Sequence, residues 1–123
     1  MSLKELTKAE EAVMKQVWQL QKATVKEIAT LMTEPKPAYT TVATVLKVLK
    51  DKGFVEAQSS GNVLTYFPLI REEDYRRFAF DKVFSAYFNG SYENLVSFLV
   101  EEKRLDEATY QRLLELAKKL KKK

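Results

Sequence analysis

The chain has 123 residues, 46% hydrophobic and 31% charged, with 21 basic against 17 acidic side chains and three glycines. It has no cysteine and no histidine, which excludes disulfides, thiolate metal sites, thiol nucleophiles and the usual imidazole ligand or neutral-pH base, so no metal or cofactor is expected. Its apolar stretches fall short of the roughly 20 residues that span a bilayer, and the opening Met1-Ser2-Leu3-Lys4-Glu5 lacks a signal-peptide apolar region, which predicts a cytoplasmic protein.

Two capping boxes, Thr7-Lys8-Ala9-Glu10 and Thr24-Val25-Lys26-Glu27, predict the starts of the first two helices, because hydroxyl and carboxylate there satisfy each other's free amides. In the first helix Ala9, Val13, Val17 and Leu20 form one stripe with Met14 and Trp18 beside it; in the second, Val25, Ile28, Ala29 and Met32 repeat at helical spacing. Glu34-Pro35-Lys36-Pro37 cannot continue a helix and predicts a turn. A third helix, residues 39–52, carries Val42, Val45, Leu46 and Leu49 inward and stops at Lys52-Gly53. Phe54–Gln58 and Val63–Phe67 predict two strands around a loop of Ser59, Ser60, Gly61 and Asn62. Two strands alone are marginal, so the hairpin must lie on the helices, giving a winged helix-turn-helix.

Beyond Pro68 the pattern is helical: residues 71–88, 91–102 and 106–121, the last ending among the lysines of a solvated terminus. The fold class is therefore mostly α, an α+β winged helix over residues 1–69 followed by a three-helix dimerisation domain over 70–123. The second part holds Tyr75, Phe78, Phe80, Phe84, Tyr87, Phe88, Tyr92 and Phe98, more rings than some 50 residues can enclose without a disulfide or metal. A two-fold homodimer is the simplest closed solution. Its predicted interface is Phe78, Phe84, Tyr87, Phe88, Leu95, Phe98, Leu99, Leu113 and Leu120.

With its core stripe removed, the third helix presents Tyr39, Thr40, Thr41, Ala43, Thr44 and Lys47. A solvated face normally carries Glu, Lys, Gln or Ala, whereas threonine hydroxyls and methyls suit phosphates, base edges and the thymine methyl. The predicted nucleic-acid surface is this set together with Ser59, Ser60 and Asn62 of the wing. All five arginines lie at or beyond residue 71, so the commonest guanine contact is missing from the reading domain and readout should favour A·T pairs, thymine methyls and shape. The wing tip bears no charge, which predicts a shallow salt dependence.

These residues resemble the penicillinase repressor family of winged-helix regulators, the BlaI/MecI/CopY type. The resemblance is carried by Leu6-Thr7-Lys8-Ala9-Glu10 with Val13-Met14 and Trp18, by Ala23 to Ile28, by Tyr39 to Leu46 leading to Lys52-Gly53-Phe54, by Tyr66 to Leu69, and by Gly90 with Leu95-Val96. It implies a cytoplasmic, non-enzymatic homodimeric repressor on a palindromic double-stranded DNA operator, with the third helix in the major groove. It also implies a membrane sensor-protease pathway acting on the protein indirectly, without membrane insertion. Antibiotic-responsive members are cut at an Asn-Phe pair; the matching positions here are Phe98-Leu99, so that mode of inactivation does not carry over. The cysteine cluster of copper-responsive members is missing too.

Two other readings compete. A winged-helix protein-interaction module without DNA binding is favoured by the uncharged wing. An enzyme using Glu10-Glu11, Glu72-Glu73-Asp74 or Glu101-Glu102 is disfavoured because each set sits where a helix surface or first turn already explains acids.

Overall fold

The computed structural model describes residues 3–33 and 36–122, with side chains to residue 120. Met1, Ser2, Glu34, Pro35 and Lys123 lie outside them, so the turn read at Glu34-Pro35-Lys36-Pro37 is described only in its second half. The chain forms two compact units, Met1–Ala79 and Phe80–Lys123. The first contains α1 (Lys8–Leu20), β1 (Ala23–Thr24), α2 (Val25–Leu31), α3 (Tyr39–Asp51), β2 (Val55–Ser60), β3 (Val63–Pro68) and the beginning of α4 (Glu72–Phe88). The rest of α4, α5 (Tyr92–Glu101), α6 (Glu107–Lys118) and a closing 3-10 turn (Lys119–Lys122) make the second.

Both capping boxes form in full. Thr7 and Thr24 accept from the amides of Glu10 and Glu27, whose carboxylates accept from the Thr7 and Thr24 amides. The end of α3 follows from Lys52-Gly53: Gly53 adopts φ +84°, its amide donates to the Lys50 carbonyl at 3.0 Å and the Phe54 amide to that of Leu49 at 2.9 Å, the paired bonds that close a helix on a left-handed glycine. This turn throws Phe54 back into the core, where it is fully buried with Met14, Val17, Ile28, Val42, Leu46, Leu49 and Val55. Each such side chain stabilises the fold by about 1.5–3 kcal/mol relative to exposure.

Three expectations are corrected. Ala9 is exposed and Leu20 only half-buried, because the buried stripe of α1 runs through Glu10, Val13, Met14, Val17 and Trp18. The sheet has three strands rather than two: β1 pairs antiparallel with β3, Ala23 against Tyr66 and Thr24 against Thr65, giving the order β1-β3-β2. The wing loop is two residues rather than four, since Ser59 and Ser60 continue β2 opposite Leu64 and Val63. Gly61, at φ +63°, takes the first central position of this tight hairpin, where a positive φ matches the strand twist and glycine meets no steric penalty.

Glu10 has a second role. Its Oε1 accepts from the Lys52 ammonium at 2.6 Å, tying the start of α1 to the end of α3. Burial alone would push this carboxyl up, but the Lys52 hydrogen bond, the Thr7 amide and the Lys52 charge together hold it below its ordinary value of 4.5. A depressed folded-state pKa contributes stability that is present above the unfolded value and is lost as pH falls through the folded one. Lys52→Met should therefore lower stability at pH 7 by about 1–2 kcal/mol and move the acid-unfolding limb to higher pH, as read by denaturant melts across pH 2 to 7. An unchanged acid limb would show that the pair adds nothing.

In the second unit α5 is capped by Ser91, which accepts from the Asn94 amide at 3.1 Å, and α6 by Asp106, which accepts from that of Thr109 at 2.7 Å. No helix among the described residues is long and apolar enough to cross a membrane.

Candidate nucleic-acid interface

The outward face of α3 is a consequence of its core stripe. With Val42, Leu46 and Leu49 fully buried, Thr40, Thr44 and Lys47 share one exposed face at i, i+4 and i+7, flanked on one side by half-buried Ala43 and on the other by Thr41 and Val48. Tyr39 stands exposed at its start. Ala38 gives α3 no side-chain cap and its first turn holds no acid, so the amides that a capping box satisfies in α1 and α2 have no side-chain acceptor here among the described residues.

Two details refine the chemistry. The Thr44 hydroxyl donates to the Thr40 carbonyl at 2.9 Å, so toward a ligand it offers lone pairs and a methyl rather than a proton. Of the three lysines of α3 and its cap, Lys50 faces Glu56 at 3.7 Å and Lys52 binds Glu10. Lys47 has no carboxylate partner among the described residues and is the cation this face presents.

The predicted residues do not all converge. Tyr39, Ala43 and Asn62 line one open channel of about 510 Å³ together with Lys26, Val63 and Leu64. Thr41 belongs instead to a dimple of about 140 Å³ beside Val13, Met32 and Pro37. Ser59 and Ser60 are exposed along β2, and the Ser59 hydroxyl donates to the Gly61 carbonyl at 3.3 Å. Lys26, Val63 and Leu64 were not among the sequence-predicted site residues. Only the two exposed apolar side chains, 51% and 47% accessible, mark the wing as more than a turn.

The predicted interface residues of the second part are placed unevenly. Phe78 packs against the core of the first unit and stacks obliquely on Tyr75, their centroids 5.7 Å apart. Phe84 is buried within the second unit between Phe80 and Tyr92, at 5.1 and 4.6 Å. Phe88 meets Phe98 edge-on at 5.5 Å. Tyr87, Phe98, Leu113 and Leu120 are exposed in the single chain, and Leu95 and Leu99 half-exposed.

Of the carboxylates weighed as catalytic, Glu10 serves its cap and ion pair, and Glu73 and Asp74 contact Arg71 at 3.0 and 3.3 Å. Among the described residues no group of acids is placed to hold a metal ion.

A family model described as penicillinase repressor matches residues 6–119. The solution structure of the DNA binding domain of the repressor BlaI is similar at 28% identity and a TM-score of 0.52, over 60% of this chain and 92% of that one. A CopR repressor structure is similar at 30% identity over 58% of this chain and 97% of that one, with a TM-score of 0.44. No curated protein sequence matches the chain.

Proposed function

The chain belongs to the penicillinase repressor family, and we propose that this DNA-binding transcriptional repressor acts as a homodimer on a palindromic operator with α3 in the major groove. The observation that carries the reading is the exposed Thr40, Thr44 and Lys47 face, which is donor-poor and methyl-rich and meets a carboxylate, Asp51, only at the last residue of the helix. Such a face can accept from an exocyclic amine, pack on thymine methyls and place one ammonium on guanine or phosphate. Tyr39, Thr41 and Ala43 border it, and Ser59, Ser60 and Asn62 extend it along the wing.

The second unit supports the dimer. Among its described residues only Phe84 is buried, while Tyr87, Tyr92, Phe98, Leu113, Leu116 and Leu120 keep between 41% and 78% of their surface. Three short helices with that much uncovered hydrocarbon need a partner, and a second copy supplies a self-complementary one. Two reading heads held together would then meet half-sites about one helical turn apart.

The test is binding to promoter fragments upstream of the protein's own operon, with excess competitor DNA. Lys47→Ala should weaken operator binding by about 1–3 kcal/mol and Thr44→Ala should narrow the preference for operator over competitor, both with unchanged melting temperature. Binding with no preference over competitor would favour a protein-interaction module instead.

A further inference from the structure

The channel beside α3 has a lining that the reading of α3 alone leaves unused. Tyr39 and Ala43 form one wall and Val63 and Leu64 the other, while Lys26 and Asn62 supply hydrogen-bond donors. No carboxylate lines it, and the nearby Glu27 carboxylate is held by the Thr24 amide at 2.8 Å. Its surface thus mixes apolar carbon with the Thr24, Tyr39 and Tyr66 side chains and the Asn62 amide, and it carries one positive charge, on Lys26.

We infer that this channel seats the sugar-phosphate backbone of one DNA strand and selects deoxyribose over ribose at the nucleotide held there. The inference rests on α3 lying in the major groove, since the channel continues that face through Tyr39 and Ala43. A nucleic-acid backbone alternates acceptor-only phosphates with carbon-rich sugar faces, the complement of this lining. A compact anion would instead call for several converging cations, and one lysine stands here. A ribose 2′-hydroxyl set against the Val63 and Leu64 hydrocarbon would lose water without gaining a hydrogen bond from those side chains, which is the physical basis of the selection.

The experiment places a single ribonucleotide at each position of the bound promoter fragment in turn and measures affinity by anisotropy. One position on one strand of each half-site should weaken binding about five- to tenfold, with the others within about twofold. Leu64→Ser, which offers the 2′-hydroxyl a partner, should erase that positional effect. Val63→Ser is the second variant, and both lie on the exposed wing where the fold does not depend on them. Lys26→Gln should lower the salt slope by about 0.9, one phosphate contact. Equal tolerance of ribose at every position, with operator preference intact, overturns the channel and leaves the reading of α3 standing. Loss of preference in the all-deoxy duplex overturns both.

Discussion

Leu113→Asp should convert the proposed dimer to monomers and lower operator affinity by about 10²- to 10⁴-fold, the range by which two linked sites outbind one. Leu113 is 44% exposed in the single chain, on a helix already capped by Asp106. The helix itself therefore loses only the modest propensity difference between leucine and aspartate, about 0.7 kcal/mol. At a two-fold interface the same substitution appears in both copies, so two unpaired carboxylates are driven into an apolar contact and desolvated. Gln111→Asp, on the same exposed helix, controls for propensity and should leave assembly intact. Phe84 is a poorer probe despite its place among the sequence-predicted contacts, because its ring is packed between Phe80 and Tyr92 and a charge there would undo the unit before any dimer could be judged. Sedimentation measures the first effect and operator titration the second. A Leu113→Asp protein that sediments as a dimer and binds with full strength would remove the hydrophobic face of α6 from the interface.

What was legible in the sequence was local. Thr7 with Glu10 and Thr24 with Glu27 fix helix starts because a capping box is complete within four residues, and Gly53 fixes a helix end for the same reason. The exposed face of α3 was legible because removing a stripe at helical spacing leaves the opposite face. Pairings over long separations were hidden. Glu10 reads as a cap residue, and nothing beside it announces Lys52, 42 positions away. The strand at Ala23–Thr24 is too short to alternate, and it exists because β3 offers it an edge. The channel between α3 and the wing draws on Lys26, Tyr39 and Val63, which are brought together only by folding. Aromatic count predicted a shortage of covering surface in the second part, but composition does not say which ring covers which. Tyr75 and Phe78, counted with the partner-seeking rings, pack against the first unit.

That reassignment sets the largest stability prediction. A fragment ending at residue 69, the boundary read from the sequence, should melt about 15–30 °C below one ending at residue 79. The Tyr75 ring lies 5.6 Å from Phe54, edge-on, and 6.1 Å from Trp18, and its hydroxyl accepts from the Leu6 amide at 2.9 Å. The Trp18 indole donates to the Ile70 carbonyl at 2.8 Å, so cutting after residue 69 strips a buried tryptophan of its acceptor as well. Loss of one buried aromatic costs about 3–5 kcal/mol, a large part of a small domain's total, and each kcal/mol moves the midpoint of such a domain by about 4–8 °C. In the full chain Tyr75→Ala should reproduce most of the loss, whereas Tyr75→Phe keeps the rings and should cost only about 1–3 kcal/mol, for the Leu6 amide left without its acceptor. Calorimetry of the two fragments and the two variants separates these contributions. Equal melting of the fragments would mean that the winged helix closes its core without α4. Lower stability only in the shorter fragment would mean that the first turns of α4 are a wall of the winged-helix core, so that the helix leading into the second unit begins inside the first.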